Sequence, residues 1–219
     1  MQLELISIAR PPKAVAPDAW HLPDFLSLIE QRELLEMARA LFLSGHMSQP
    51  ETGRYNANGE PVKMRVRLGC WGCRWTLHHG YLPPVLPLPD RLAAIAEKAV
   101  SASVSRYSGF GPDTCIVQHY FPGDSLGLHV DDSEDQALIE QGSPIVSLSI
   151  GDSCYFDLHP LSGGKIRLQL QSGDAFVFGG QARSLIHGVP KILPGTAPIE
   201  LGMQQGSGRL NFTLRRAKA

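Results

Sequence analysis

Residues 115–135 read CIVQHYFPGDSLGLHVDDSED. Two short runs of apolar, β-branched and aromatic residues flank the turn residues Pro122, Gly123 and Asp124. Runs of this length between turn residues are strand signals. The same texture continues toward the C-terminus: IVSLSIG (145–151), SCYFDLH (153–159), KIRLQLQ (165–171), DAFVFGG (174–180), SLIHGV (184–189) and RLNFTLR (209–215), punctuated by SGG, SGD and GSG. Many short strands at such spacing predict a double-sheet barrel or jelly roll.

Upstream the pattern changes. Residues 22–45 carry Leu26, Ile29, Leu34, Leu35, Ala38 and Leu41 at helical spacing, with Asp24 placed to cap and Gly45 to stop. Residues 89–103 predict a second helix opening on Pro89 and Asp90. The segment between them is rich in Gly, Pro, Arg and aromatics and suits short strands and loops. The expectation is an α+β chain, one domain over 1–219. Residues 1–110 form the helical support, with its helices packed on one sheet, and residues 111–219 the jelly-roll core.

The 219 residues are 43% hydrophobic and 19% charged, with a formal net charge of −1. That balance is ordinary for a soluble globular protein and argues against a strong non-specific nucleic-acid binder. No apolar run reaches the roughly 18–20 residues of a membrane span, and MQLELISIARPPK lacks a secretory pattern. A cytoplasmic monomer with no membrane partner is expected. Cys70 and Cys73 have the spacing of half a zinc site, but Cys115 and Cys154 form no second close pair, so buried reduced thiols are the simpler reading.

The chemistry gathers around LGLHVDDSED. His129 and Asp131 are separated by one residue, and on a strand positions i and i+2 share a face. Val130 then points the opposite way, into apolar surroundings. Alone, His-x-Asp is a common structural hydrogen bond. His187, in SLIHGV, changes the balance, because two histidines and one carboxylate make the facial triad of non-haem iron(II) oxygenases, with open positions left on the metal. RLNFTLR adds a second element. Arg209, Asn211, Thr213 and Arg215 alternate with Leu210, Phe212 and Leu214, which gives one polar and one apolar face. The polar face is either a wetted surface or the inside of the barrel mouth, with guanidiniums available to fork onto carboxylates.

Taken in order, QHYFPGDSLGLHVDDSED, PIVSLSIG, FVFGGQARSLIHGV and RLNFTLR resemble the AlkB family of Fe(II)/2-oxoglutarate-dependent dioxygenases, nearly continuously over residues 115–216. CWGCRWTLHHGYL resembles that family's nucleotide-recognition lid more weakly. The resemblance implies a double-stranded β-helix (jelly roll) that oxidatively removes alkyl groups from damaged bases, with Fe(II), 2-oxoglutarate and O₂. It implies His129, Asp131 and His187 as iron ligands, Arg209 as partner of the distal 2-oxoglutarate carboxylate, and Arg215, Asn211, Tyr120 and Gln118 as further lining of that pocket. Trp75 and Tyr81 match lid residues, with Trp75 and His129 placed to sandwich a flipped base. The implied substrate is alkylated DNA, single-stranded by preference, or RNA, with adducts of the 1-methyladenine and 3-methylcytosine type and etheno adducts as a further class.

Three positions depart from the pattern. Gln118 replaces an Asn. Ser133 stands where an acidic residue contacts the base, with Asp132 and Glu134 beside it, either able to substitute if the loop shifts. The lid between Trp75 and Tyr81 is one residue shorter. The other acids of 132–135 are expected in a solvated loop. Arg54, Lys63, Arg65, Arg67 and Arg74 offer either a phosphate-tracking surface or the outer face of a hairpin. Competing readings are a non-catalytic module that binds alkylated nucleic acid, the same oxygenase chemistry on a protein or lipid, and a zinc hydrolase on the same triad. The last leaves Arg209, Asn211 and Arg215 without a task.

Overall fold

The computed structural model describes residues 10–103, 107, 109–160, 163–204 and 206–218. Every strand pairing within it is antiparallel. The predicted strands of the second half all form: β7 (Thr114–Tyr120), β8 (Leu126–His129), β9 (Ile145–Gly151), β10 (Ser153–His159), β11 (Ile166–Leu170), β12 (Ala175–Phe178), β13 (Ile186–Leu193) and β14 (Arg209–Arg215). Upstream lie β1 (Lys13–Ala16), β2 (Ala19–Leu22), β3 (Glu51–Tyr55), β4 (Pro61–Lys63), β5 (Arg67–Thr76) and β6 (Gly80–Leu86). They assemble into a large sheet of order β1-β2-β12-β9-β14-β7-β5-β6 and a small sheet of order β11-β10-β13-β8, with β3-β4 as a separate pair. The two main sheets make the jelly roll.

Helices α1 (Leu28–Leu43) and α2 (Asp90–Ala102) cover one face of the large sheet. Leu34, Leu35, Ala38 and Leu41 of α1 and Leu92, Ile95, Ala96 and Ala99 of α2 share a core with Leu210, Phe212 and Leu214 of β14 and Val146, Leu148 and Ile150 of β9. Apolar burial of this kind is the main driving force of folding. Two details of α1 differ from expectation. Its cap is Ser27, whose hydroxyl accepts from the Glu30 amide while the Glu30 carboxylate accepts from the Ser27 amide. This reciprocal box satisfies two amides that Asp24 could not reach, because Asp24 lies a turn earlier at φ 52° and binds Arg10 instead. Ile29 is not on the buried stripe; it is 69% exposed.

Three elements carried little signal. The four-residue strands β1 and β2 extend the large sheet beyond β12. A short helix, α3 (Gln136–Glu140), begins directly after Asp135. The β5–β6 hairpin, expected as a lid, continues the large sheet at its other end. All four cysteines are free, three of them buried, and no helix among the described residues is long and apolar enough to cross a membrane.

Candidate active site

A pocket opens between the two sheets. It is walled by Gln118 and Tyr120 of β7, Ser147 of β9, the polar residues of β14, and His129 and His187 of the small sheet. The register creates it. His187 pairs directly with His129 across β13 and β8, and the next residue, Gly188, lets the two backbones close up. A Cβ at Gly188 would lie 3.0 Å from the carbonyl oxygens of Leu126 and Gly127. The imidazole centroids stand 4.4 Å apart.

Each imidazole has its tautomer set by backbone. His129 Nδ1 lies 2.9 Å from the Gly127 oxygen, and His187 Nδ1 lies 2.9 Å from the Leu185 oxygen. A carbonyl can only accept, so both Nδ1 atoms carry a proton and Nε2 is the atom of each ring left to bind a metal. Those Nε2 atoms face Asp131. His129 Nε2 is 3.6 Å from one carboxylate oxygen, and His187 Nε2 is 3.8 Å from the other. Ligand atoms of the three side chains lie within 4.8 Å of one another, the one such cluster among the described residues. Two imidazoles and one carboxylate fit a metal that keeps positions open.

Asp131 is not held by the strand. β8 ends at His129, so the i, i+2 rule brings Asp131 to the site only approximately, and Val130 lines an outer groove rather than the core. Burial alone disfavours the Asp131 carboxylate, yet Arg215, then His187 and His129, hold its carboxyl well below the usual carboxylate range. Arg215 donates to it at 3.0 Å. Burial lowers the basicity of His187, partly offset by Asp131.

At the far end of the pocket lies Arg209, 1% exposed. One guanidinium nitrogen donates to Ser149 Oγ at 2.7 Å, and its Nε has no partner. Among the described residues no carboxylate stands within ion-pairing distance of it. A buried cation without a counter-ion is costly unless an anion arrives from outside. The donor set therefore fits a dicarboxylate spanning from the metal to Arg209. Asn211 lies beside it, donating to Gln118 at 3.0 Å and accepting from Ser147 at 2.7 Å. Tyr120 reaches the Gln118 side-chain oxygen at 3.3 Å, so the Gln in place of Asn still joins this network.

Next to the metal cluster the outer groove is lined by Trp75, Leu77, Tyr81, Leu126, Leu128, Asp131, Asp132 and Ser133, among others. Trp75 Nε1 donates to Ser133 Oγ at 3.2 Å. Tyr81 is 6% exposed with an unpartnered hydroxyl, and burial pushes its phenol well above the ordinary range. Asp132 is exposed at the rim. Glu134 stands elsewhere. It turns inward, away from the solvated loop expected for it, and its carboxylate is held by Arg215 at 2.7 Å and Arg183 at 2.8 Å. Arg215 donates to one oxygen and the other is ion-paired to Arg183, and with its side chain only 1% exposed it is not free to contact a base. Arg183 and Ser149 were not singled out from the sequence. A lone Arg in the otherwise apolar run FVFGGQARSLIHGV is the signal that could have found the first. Arg54, Lys63, Arg65, Arg67 and Arg74 are all exposed, with Arg67 stacked on Phe121 at 4.5 Å.

Residues 18–215 match the model of the 2OG-Fe(II) oxygenase superfamily. The alpha-ketoglutarate-dependent dioxygenase AlkB homolog of Caulobacter vibrioides is 34% identical, over 94% of this chain and 91% of its own length. The DNA N(6)-methyladenine demethylase ALKBH1D of Arabidopsis thaliana is 32% identical over 97% of this chain, which spans about half (52%) of that longer relative. The solved structure of OsALKBH1 superposes with a TM-score of 0.77 at 28% identity, covering 94% of this chain and 100% of that one.

Proposed function

This chain belongs to the 2OG-Fe(II) oxygenase superfamily and, within it, to the AlkB family, and on that premise we propose that it is a dioxygenase that removes alkyl groups oxidatively from nucleobases in DNA or RNA. The observation that carries the reading is the pairing of two unmet needs in one pocket. Two Nε2 atoms and a carboxylate converge on one point, and Arg209 is buried with an unpartnered Nε and, among the described residues, no carboxylate paired to it. Fe(II) and 2-oxoglutarate meet both needs at once.

His129, Asp131 and His187 would hold the iron, and Arg209 would fork onto the far carboxylate of 2-oxoglutarate, with Asn211, Tyr120 and Gln118 fixing its orientation. With O₂, that pair would supply hydroxylation of an N-methyl carbon, which would leave as formaldehyde while 2-oxoglutarate is converted to succinate and CO₂. The protein's share is orientation and the exclusion of water. Phe156, Phe178, Leu126 and Val189 keep the inner pocket largely apolar between its polar ends. Trp75 and Tyr81 wall the space where a flipped base would lie against the iron ligands, and stacking there offsets part of the few kcal/mol lost on unstacking. The neutral Tyr81 hydroxyl is available to hydrogen-bond the base.

The groove's charge favours one adduct class. Ser133 is neutral, Glu134 is turned inward, Asp131 is engaged by Arg215, and only exposed Asp132 offers a free carboxylate. Arg215 itself lines the groove. Such a wall gives little to a cationic base such as 1-methyladenine or 3-methylcytosine. It suits a neutral base with an alkylated exocyclic amine, the class that the Arabidopsis relative's name specifies. The test is mass spectrometry on oligonucleotides carrying 1-methyladenine, 3-methylcytosine, N6-methyladenine or an etheno adduct, with iron and 2-oxoglutarate withheld in turn. Loss of alkyl mass only in the complete mixture, fastest for N6-methyladenine, is the expected result. Dealkylation that ignores either cofactor, or none on any oligonucleotide, rejects the reading; preference for the cationic bases rejects the charge argument alone.

A further inference from the structure

Asp131 poses a mechanical problem. It must present one oxygen to a metal, yet it stands two residues beyond the last paired residue of β8, where no ladder hydrogen bond fixes it. The neighbouring contacts solve this with charge. Arg183, on the turn leading into β13, donates to the backbone oxygen of Asp131 and pairs with Glu134 at 2.8 Å. Glu134 in turn pairs with Arg215 at 2.7 Å, and Arg215 donates to one carboxylate oxygen of Asp131 at 3.0 Å. The four side chains form an alternating chain of charge, and the side chains of Arg183 and Glu134 are only 4% and 1% exposed.

We propose that Arg183 and Glu134 are positioning residues for the metal, a clamp that grips Asp131 at its backbone directly and at its side chain through Arg215. Arg215 occupies the oxygen nearer His187, which leaves the oxygen facing His129 as the ligand and makes the carboxylate bind through one atom. A two-atom carboxylate would fill a position that a triad site keeps open. Glu134 does this from behind. Its charge fixes Arg215 against the Asp131 carboxylate, and its ion pair with Arg183 ties the turn leading into β13, the strand that carries His187, to the segment that carries Asp131. One ion pair thus sets the spacing between His187 on β13 and Asp131 beyond the end of β8. Groups behind a ligand of this kind are worth about 10–100-fold in metal affinity. The clamp rests on the metal half of the reading above and is independent of the nucleic-acid half.

Titrating the metal-free protein with Co(II), followed by its visible spectrum, tests the clamp without turnover. Glu134→Gln and Arg183→Met are expected to bind Co(II) about 10–100-fold more weakly than the native protein with an altered spectrum, and Arg183→Lys to recover part of the loss. A double variant, Glu134→Leu with Arg183→Met, removes both charges together, which buried pairs tolerate in stability. It must show a loss no smaller than either single change, with unfolding by circular dichroism reported alongside. Folded variants that match native affinity and spectrum within twofold overturn the clamp. A native protein that binds no Co(II) overturns the metal site and the clamp with it, whereas inactivity on every oligonucleotide with intact Co(II) binding touches only the nucleic-acid reading.

Discussion

The two faces of β14 are equally dry and chemically opposite. On one side Leu210, Phe212 and Leu214 lie under α1 and α2, each no more than 2% exposed. On the other Arg209, Asn211, Thr213 and Arg215 are 1%, 9%, 7% and 5% exposed. The apolar face explains itself, because burying those side chains favours folding by about 1.5–3 kcal/mol each. The polar face does not. Buried guanidiniums cost free energy, and their retention needs another reason. Alternation on a strand usually means one side in water; here it marks the boundary between the face that packs on the helices and the face that lines the pocket.

That division can be broken by substitution. The largest effect is expected from His187→Ala, which removes one of the three proposed metal ligands. Turnover should fall by at least about three orders of magnitude, measured as succinate release, while thermal unfolding stays near that of the native protein. Next is Phe212→Ala on the apolar face. It should lower unfolding free energy by about 3–5 kcal/mol in urea titrations yet leave the KM for 2-oxoglutarate unchanged in the folded fraction. Arg209→Met is the sharper case. Stability should hold or rise, because an unpaired buried charge is replaced by an apolar chain, while 2-oxoglutarate binding by calorimetry should weaken by about 3 kcal/mol or more. A strongly destabilised Arg209→Met protein would erase the distinction between the two faces.

Smaller effects lie outside β14. Ser27→Ala breaks the capping box under the apolar face and should cost about 1 kcal/mol of stability without changing kinetics. Asp157, on the small sheet, gives a pH signature. Hydrogen bonds from Arg167, against the cost of burial, hold its pKa down to about 2. A depressed carboxylate contributes stability that is present above the unfolded value near 3.8 and is lost as pH falls toward 2. Its partners are half in water, so Asp157→Asn should remove only about 1 kcal/mol at neutral pH. The difference between the two proteins should shrink to nothing in acid unfolding curves below that window.

The strands from β7 to β14 were legible because alternation and turn residues coincide in each, and the triad was legible because His129 and His187 sit on strands whose texture announces them. What stayed hidden depends on distance in sequence. Glu134 looks like one more acid in a solvated loop until Arg183 and Arg215, remote along the chain, fold over it. β1 and β2 are four residues each and gain their place from β12 rather than from their own pattern. Ser27 with Glu30 spells the capping box that opens α1, whereas Asp24, the expected cap, is drawn off by Arg10. Which face of β14 was wet could not be read from alternation alone, since both faces are buried.

The polar face is tested most directly by a crystal structure of the protein with redox-silent Mn(II) and 2-oxoglutarate, located by anomalous scattering. The prediction is one metal bonded to His129 Nε2, His187 Nε2 and a single oxygen of Asp131, with the distal carboxylate of 2-oxoglutarate forked on Arg209. Metal bound at any other set of side chains, or 2-oxoglutarate lying away from Arg209, would contradict it.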